Sequence, residues 1–267
     1  MKVSNSSIQA FKACRRMYEL KYIYGLEPVE SSEAIKRGLK YHEAVENLIK
    51  QDIVVADDID DPKIRAMVEA FRIFVLPKLR ALYNVSEAEN WFSYTTKSGH
   101  TVIGRIDALS KDGVIVEHKT TSGAVDGDYF AKLEFDEQIP TYMIAQGTDK
   151  VIYTVCAAPL LRQKKAESEE DYFKRCLEWY IEDPDQRIVC TEIKLDKDRL
   201  EQFADEQDAV ISEMKNCKLF YRNPSNCYRY GRLCEYAPVC MNYDPEQDYI
   251  EFRRREKHDE TTGEAKD

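Results

Sequence analysis

Two short stretches in this 267-residue chain hold residues of the right type and spacing to do chemistry: Gly104-Arg105-Ile106-Asp107 and Glu117-His118-Lys119. If each lies on a strand, alternation puts Glu117 and Lys119 on one face and His118 on the other. A two-residue turn at Asp112-Gly113 would set Asp107 against His118. A three-residue loop, Lys111-Asp112-Gly113, with Gly113 left-handed in a bulge, would set Asp107 directly against Glu117. The second form, or another odd loop length, is expected, because it brings two carboxylates and an ammonium to one face. Such a face suits a hard divalent cation, Mg2+ or Mn2+. The cation would polarise a phosphate and lower the pKa of water, and Lys119 would orient the attacking water or neutralise charge developing on the phosphate.

Alone, Glu-x-Lys also fits an ordinary charged hairpin face. Further residues bear on the choice. Gly38-x-x-x-His42-x-x-x-Glu46 lies in a helix expected over Glu33 to Lys50, with His42 on the side of Ile35, Leu39, Val45 and Ile49. Gln138 and Tyr142 share a face of a short helix expected from Asp136 to Ala145. Cys227, Cys234 and Cys240 crowd into a segment of weak helical or strand pattern, the kind of segment that a bound metal orders. Cys14 is the best fourth thiol and Cys217 a spare. Cys156, Cys176 and Cys190 fall in expected strands or helices and read as buried thiols.

The elements that must position these groups follow from pattern. A first helix is expected from Ser6, with Ser6-x-x-Gln9 as capping box and a stripe of Ile8, Phe11, Tyr18 and Tyr22 along which Cys14 lies. Pro62 should open a long helix that Pro77 kinks. Strands are expected over Thr101 to Ser110, Val114 to Lys119, Lys150 to Val155 and Arg187 to Lys194. Helices are expected over Ser168 to Tyr180 and Asp196 to Lys215. The chain reads as one domain over 1–243, with a helical insertion at about 51–90, and a disordered charged tail over 244–267.

Composition is 43% hydrophobic and 33% charged, enough for a substantial core. No stretch has the length and apolarity of a membrane span, and a soluble, intracellular (cytoplasmic) protein is expected. A disulfide framework is not expected among the eight cysteines. The net charge of −10 opposes a broadly basic nucleic-acid surface, though a local groove can still be positive and a carboxylate-lined site is itself acidic.

Taken in order, Gly-x-x-x-His, Gly-Arg-Ile-Asp, Glu-x-Lys and Gln-x-x-x-Tyr resemble the motif set of the RecB-like branch of the PD-(D/E)-x-K nuclease superfamily, from about Ser4 to Cys240. The resemblance implies an α/β fold, with a central mixed β-sheet flanked by helices on a restriction-endonuclease-like core. It implies His42, Asp107, Glu117 and the His118 carbonyl as metal ligands, Lys119 as the catalytic lysine, and Gln138 and Tyr142 lining the groove, contacting substrate or supporting the lysine. Phe11 to Tyr18, with Cys14, resembles the N-terminal cysteine motif of family members carrying a [4Fe-4S] cluster, the AddAB-type helicase–nucleases and CRISPR-associated exonucleases. There Cys14, Cys227, Cys234 and Cys240 would tie the N- and C-terminal segments together. The six residues between Cys227 and Cys234 exceed the two common in those families, and zinc would suit four thiolates equally.

The function so implied is a metal-dependent DNA exonuclease acting through metal-activated water on single-stranded or resected DNA, in recombination, repair or phage DNA processing. Arg15 or Arg16 would reach phosphates and Tyr142 would stack on bases. A restriction-type endonuclease is a second enzyme class. The non-enzyme alternative is a DNA-end-binding or assembly subunit of a recombination or CRISPR-adaptation complex, with a recombination or helicase partner protein.

Overall fold

The computed structural model describes residues 1–30, 33–51, 59–229, 231–242, 244 and 249–255. Strand β1 (Lys2–Ser4) leads into helix α1 (Asn5–Ala13). The Ser4 hydroxyl accepts the Ser7 N–H at 3.3 Å and the Ser7 hydroxyl accepts the Ser4 N–H at 3.0 Å, so the capping box starts two residues before the expected Ser6. The helix also stops sooner than its apolar stripe suggested. Cys14 is extended (φ −162°, ψ 114°), and α2 (Arg15–Tyr18) restarts beyond it and runs into a π-helical turn over Glu19–Ile23. Strand β2 (Leu26–Pro28) follows.

Helix α3 (Glu33–Gln51) buries Tyr41, Ala44, Val45, Leu48 and Ile49. Ile35 and Leu39, expected on the inward stripe, are exposed at 53% and 63%, because only the later turns of the helix meet the core. Helix α4 (Pro62–Phe74) begins at its proline, and Asp61 caps it by accepting the Lys63 N–H at 2.9 Å. The kink expected at Pro77 is a break: α5 (Leu76–Tyr83) starts after Val75, with the proline in its first turn.

Strand β3 (Val85–Thr95) had no clear sequence signal. Strands β4 (Thr101–Ser110) and β5 (Ile115–Thr121) take the three-residue loop. The Ser110 N–H donates to the Val114 carbonyl at 2.9 Å, the Gly113 N–H to the Ser110 carbonyl at 3.0 Å, and Gly113 is left-handed at φ 78°. Ala108 lies opposite Val116 and Leu109 opposite Ile115, a register that continued by one residue sets Asp107 against Glu117.

Helix α6 (Gly127–Ala131) and a 3-10 turn precede α7 (Gln138–Gln146), capped by Asp136, which accepts the N–H groups of Gln138 and Ile139, both at 2.8 Å. Strand β6 (Lys150–Ala157) is buried from its second residue on, as a strand covered on both faces must be. Helix α8 (Glu169–Glu182) is capped by Ser168 and followed by α9 (Pro184–Arg187), β7 (Ile188–Lys194) and α10 (Lys197–Asn216). The remaining elements are β8 (Tyr228–Arg229), β9 (Arg232–Leu233), α11 (Ala237–Asn242) and β10 (Phe252–Arg254).

The chain divides into two compact units built from interleaved segments, Met1–Ser32, Trp91–Gly104 and Glu201–Asp267 in one, Glu33–Asn90 and Arg105–Leu200 in the other. In the second unit β4, β5, β6 and β7 pair in that order, antiparallel, parallel, antiparallel. Tyr41, Val45, Phe71, Leu79 and Tyr180 from the helices pack with Val116 and Ile152 of the strands in one core, the mixed sheet with flanking helices that the motifs implied.

In the first unit β1 runs parallel to the start of β4, and β10 pairs antiparallel with β2, Phe252 opposite Pro28. Leu20, Leu26, Tyr236 and Val239 form its own small core. The expected disordered tail therefore contributes a strand at 252–254, while 245–248 and 256–267 lie outside the described residues. Among the described residues no helix is long and apolar enough to cross a membrane.

Candidate functional site

The second unit gathers the residues singled out by type and spacing. Glu117, on β5, is 1% exposed and its Oε1 is held by the Lys119 ammonium. Its Oε2 is buried and accepts no hydrogen bond. Lys119 also donates to Gln138 Oε1 at 2.6 Å, Gln138 Nε2 donates to the Tyr142 hydroxyl at 2.5 Å, and that hydroxyl donates to the Arg105 carbonyl at 2.7 Å. Where the β4–β5 ladder ends, the His118 N–H donates to Asp107 Oδ2 at 2.8 Å. His42 Nδ1, brought in by α3, lies 3.6 Å from the same oxygen.

Burial, and next the charge of Asp107, push the Glu117 carboxyl up to about 8. Burial acts on Asp107 in the same sense, but the nearby His42 imidazole and the electrostatic and main-chain interactions of His118 outweigh it and hold that carboxyl below its ordinary range. Burial would lower Lys119, yet Glu117 outweighs it and the ammonium is held above its usual value. One carboxylate thus stays ionised, while its neighbour has an unsatisfied oxygen in a water-poor place.

His118 is fully buried and shares a 2.6 Å hydrogen bond with the Thr154 hydroxyl, its ring edge-on to Phe71 at 5.2 Å. Burial holds it down to about 4, so it stays neutral, and its side chain belongs to the core. Only its carbonyl remains a candidate ligand. Tyr142 is 4% exposed and bonded at its hydroxyl, so it supports Gln138 and is not a surface for stacking bases. Glu46 is paired along α3 with Lys50. Asp136 and Thr154 escaped the sequence reading. The Asp136-x-Gln138-Ile139 cap was legible as an Asx turn, whereas nothing local marks Thr154.

Among the described residues no group of three or more His, Cys, Asp or Glu is arranged so as to hold a metal ion, at the carboxylates or at the cysteines. Lys119 takes up one Glu117 oxygen. The donor set still fits a divalent cation: hard carboxylate oxygens, one of them orphaned, with an imidazole at hand.

In the first unit Cys14, Cys227, Cys234 and Cys240 line one cavity of about 130 Å³, and Cys217 does not. The break after α1 turns Cys14 toward the C-terminal segment. Its sulfur accepts the Asn223 N–H at 3.4 Å, and the Ala13 carbonyl accepts the side-chain amides of Asn223 at 2.9 Å and Asn226 at 2.5 Å. The Cys234 N–H donates to the Cys227 carbonyl at 2.8 Å. Burial raises the thiols of Cys234 and Cys240, and the neighbouring Cys14 and Cys227 act in the same sense. Cys156 and Cys176 are buried, as expected of core thiols, and Cys190 is partly so. Arg15 is paired with Glu213 and lies over Phe11 and Tyr221, and Arg16 is paired with Glu19, so both are engaged within this unit.

Comparison with solved structures finds a presumed exonuclease from Eubacterium rectale. It is 13% identical, matched over 92% of this chain and 90% of its own, with a TM-score of 0.50. A phage-related exonuclease from Haemophilus somnus 129PT is 16% identical over 73% and 94%, with a TM-score of 0.33. No protein with a curated description matches the chain. The sequence profile of the PD-(D/E)XK nuclease superfamily matches residues 2–241. With that match spanning nearly the whole described length, and carboxylates, lysine and imidazole meeting on one mixed sheet, the chain belongs to the PD-(D/E)XK nuclease superfamily.

Proposed function

We propose that this protein is a divalent-metal-dependent deoxyribonuclease that degrades DNA, single-stranded or resected, from free ends. The observation that carries the reading is Glu117: a buried carboxylate with one oxygen on Lys119 and the other without a partner, in register with an ionised Asp107. His42, Asp107, Glu117 and the His118 carbonyl would hold the cation. When bound, Mg2+ or Mn2+ supplies Lewis acidity to the phosphate and a more acidic water. Lys119 would offset the negative charge that grows on the phosphate, and Gln138, bonded to Tyr142, would set the direction of its ammonium.

Action from ends draws support from the fold shared with the presumed exonuclease of Eubacterium rectale. A DNA substrate fits the family, and a helicase or recombination protein is a fitting partner for an acidic chain that resects ends. The four cysteines on one cavity offer soft donors suited to an iron–sulfur cluster, with zinc the other thiolate metal. Loss of the cation from that cavity would loosen the first unit and leave the carboxylates of the second in place.

The test is degradation of end-labelled linear DNA, alongside covalently closed circles, in Mg2+ or Mn2+. Linear DNA should be consumed and circles spared, with Asp107→Ala, Glu117→Ala and Lys119→Ala inactive. Undiminished cleavage by purified Lys119→Ala would refute the assignment. Equal cleavage of circles would replace the end-dependent mode by an endonuclease, and tight binding without turnover would replace both by a DNA-end-binding subunit.

A further inference from the structure

A groove of about 390 Å³ opens in the second unit, lined by Ile35, Arg37, Gly38, Thr120, Thr121 and Ser122 among others. It starts where the candidate active site ends. Gly38 stands one helical turn before His42 on α3, and Thr120 and Thr121 directly follow Lys119 on β5. At a rise of about 1.5 Å per helical residue and about 3.3 Å per strand residue, Gly38 lies roughly 6 Å along the helix from His42 and Thr121 roughly 7 Å along the strand from Lys119. That is on the scale of one nucleotide step.

The groove's chemistry is that of a sugar–phosphate backbone. Its lining includes three hydroxyl-bearing residues, Thr120, Thr121 and Ser122, and the apolar Ile35 and Met67. Arg37 is partly buried, and its Nε–H is shielded from solvent and has no hydrogen-bond acceptor. A buried guanidinium donor without an acceptor calls for an anion. Lys63, on α4, is held below its usual value by burial and next by the positive charge of Arg37. Glu33, one turn before Arg37, is paired with Lys36.

We propose that this groove seats the phosphodiester next to the one being cleaved, with the Arg37 guanidinium as its counter-charge and the Thr121 and Ser122 hydroxyls as neutral donors. The proposal rests on the nuclease reading above and names a second phosphate contact for the same strand. It also assigns a role to Gly38. A Cβ there would meet only the Thr120 hydroxyl, at 3.7 Å, an ordinary contact, so the fold does not require glycine at this position. The missing side chain keeps the groove floor open for the strand.

The experiment is fluorescence anisotropy of a labelled single-stranded oligodeoxynucleotide, with Ca2+ in place of Mg2+ or Mn2+, at a series of salt concentrations. Arg37→Gln should weaken binding roughly tenfold at low salt and reduce the slope of log affinity against log salt by about 0.7, the share of one phosphate contact on a single strand. Gly38→Ala should keep the melting temperature and weaken binding several-fold. Single methylphosphonates scanned along the strand should include one position that weakens the wild type and leaves Arg37→Gln unchanged.

A wild-type salt slope in Arg37→Gln, or wild-type affinity in Gly38→Ala, would overturn the proposal, as would a wild-type protein that does not bind DNA. If Arg37→Gln does not fold, Gly38→Ala decides the matter. DNA binding with the expected slope change but no cleavage in Mn2+ would sink the nuclease reading and leave the groove standing. Cleavage with an unchanged slope would sink the groove alone.

Discussion

The ammonium of Lys119 and the side-chain oxygen of Gln138 lie 2.6 Å apart, across the space between β5 and the first turn of α7. Lys119 is thereby held from two sides, by Glu117 on its own strand and by an amide that Tyr142 anchors to the Arg105 carbonyl. The relay predicts a graded set of effects. Lys119→Ala should lower kcat by about 100- to 1,000-fold. Gln138→Ala and Tyr142→Phe act through the lysine and should cost about 10- to 100-fold, Gln138→Ala the more. Steady-state kinetics on linear DNA in Mn2+ would check the order, with KM for the two supporting variants close to wild type.

Metal content should follow the cavity in the first unit. Cys234→Ser should lose iron or zinc and melt at a lower temperature. Cys217→Ser should keep its metal, because the Cys217 thiol donates to the Leu219 carbonyl and does not line the cavity. Iron, sulfide and zinc analysis of anaerobically purified protein, with a visible absorption spectrum, separates a brown cluster protein from a colourless zinc protein.

Gly104 is required by space and not by backbone conformation. A Cβ on it would sit 2.6 Å and 2.8 Å from the Cζ and Cε1 atoms of Phe92. Gly104→Ala should therefore destabilise the protein by about 1–3 kcal/mol through overpacking. The effect should shrink in a Phe92→Ala background, where the ring is gone. Urea unfolding of the four proteins of the cycle tests this.

Glu167 accepts two hydrogen bonds from Arg175, both at 2.7 Å, and one from the Lys164 N–H at 2.9 Å. Arg175 chiefly, and then the main-chain donor, holds its carboxyl down to about 2, against an ordinary value of 4.5. Because the folded value lies below the unfolded one, the pair contributes stability above about pH 4.5 and loses it as pH falls toward 2. Glu167→Gln should lower the urea midpoint at pH 7 and match the wild type near pH 2. An equal difference at both values would contradict this.

The sequence by itself determined what is local. Lys111-Asp112-Gly113 set the hairpin loop, because Gly113 takes a left-handed conformation at little cost, and that loop fixed the pairing of Ala108 with Val116, next to Asp107 and Glu117. Asp61 with Pro62 set the start of α4 and Ser168 that of α8, because caps depend on groups within a few residues. Tertiary structure decided what depends on distant partners. Strand β3 runs through the polar stretch Ser86-Glu87-Ala88-Glu89-Asn90, which carries no strand pattern, and pairing with β4 makes it a strand. Ile35 and Leu39 have the helical spacing of core residues and are exposed, since periodicity does not tell where a core ends. The approach of His42 to Asp107, the burial of Tyr142 and the meeting of Cys14 with Cys227, Cys234 and Cys240 each join residues far apart in the chain. Such contacts are made by packing, which no local propensity encodes.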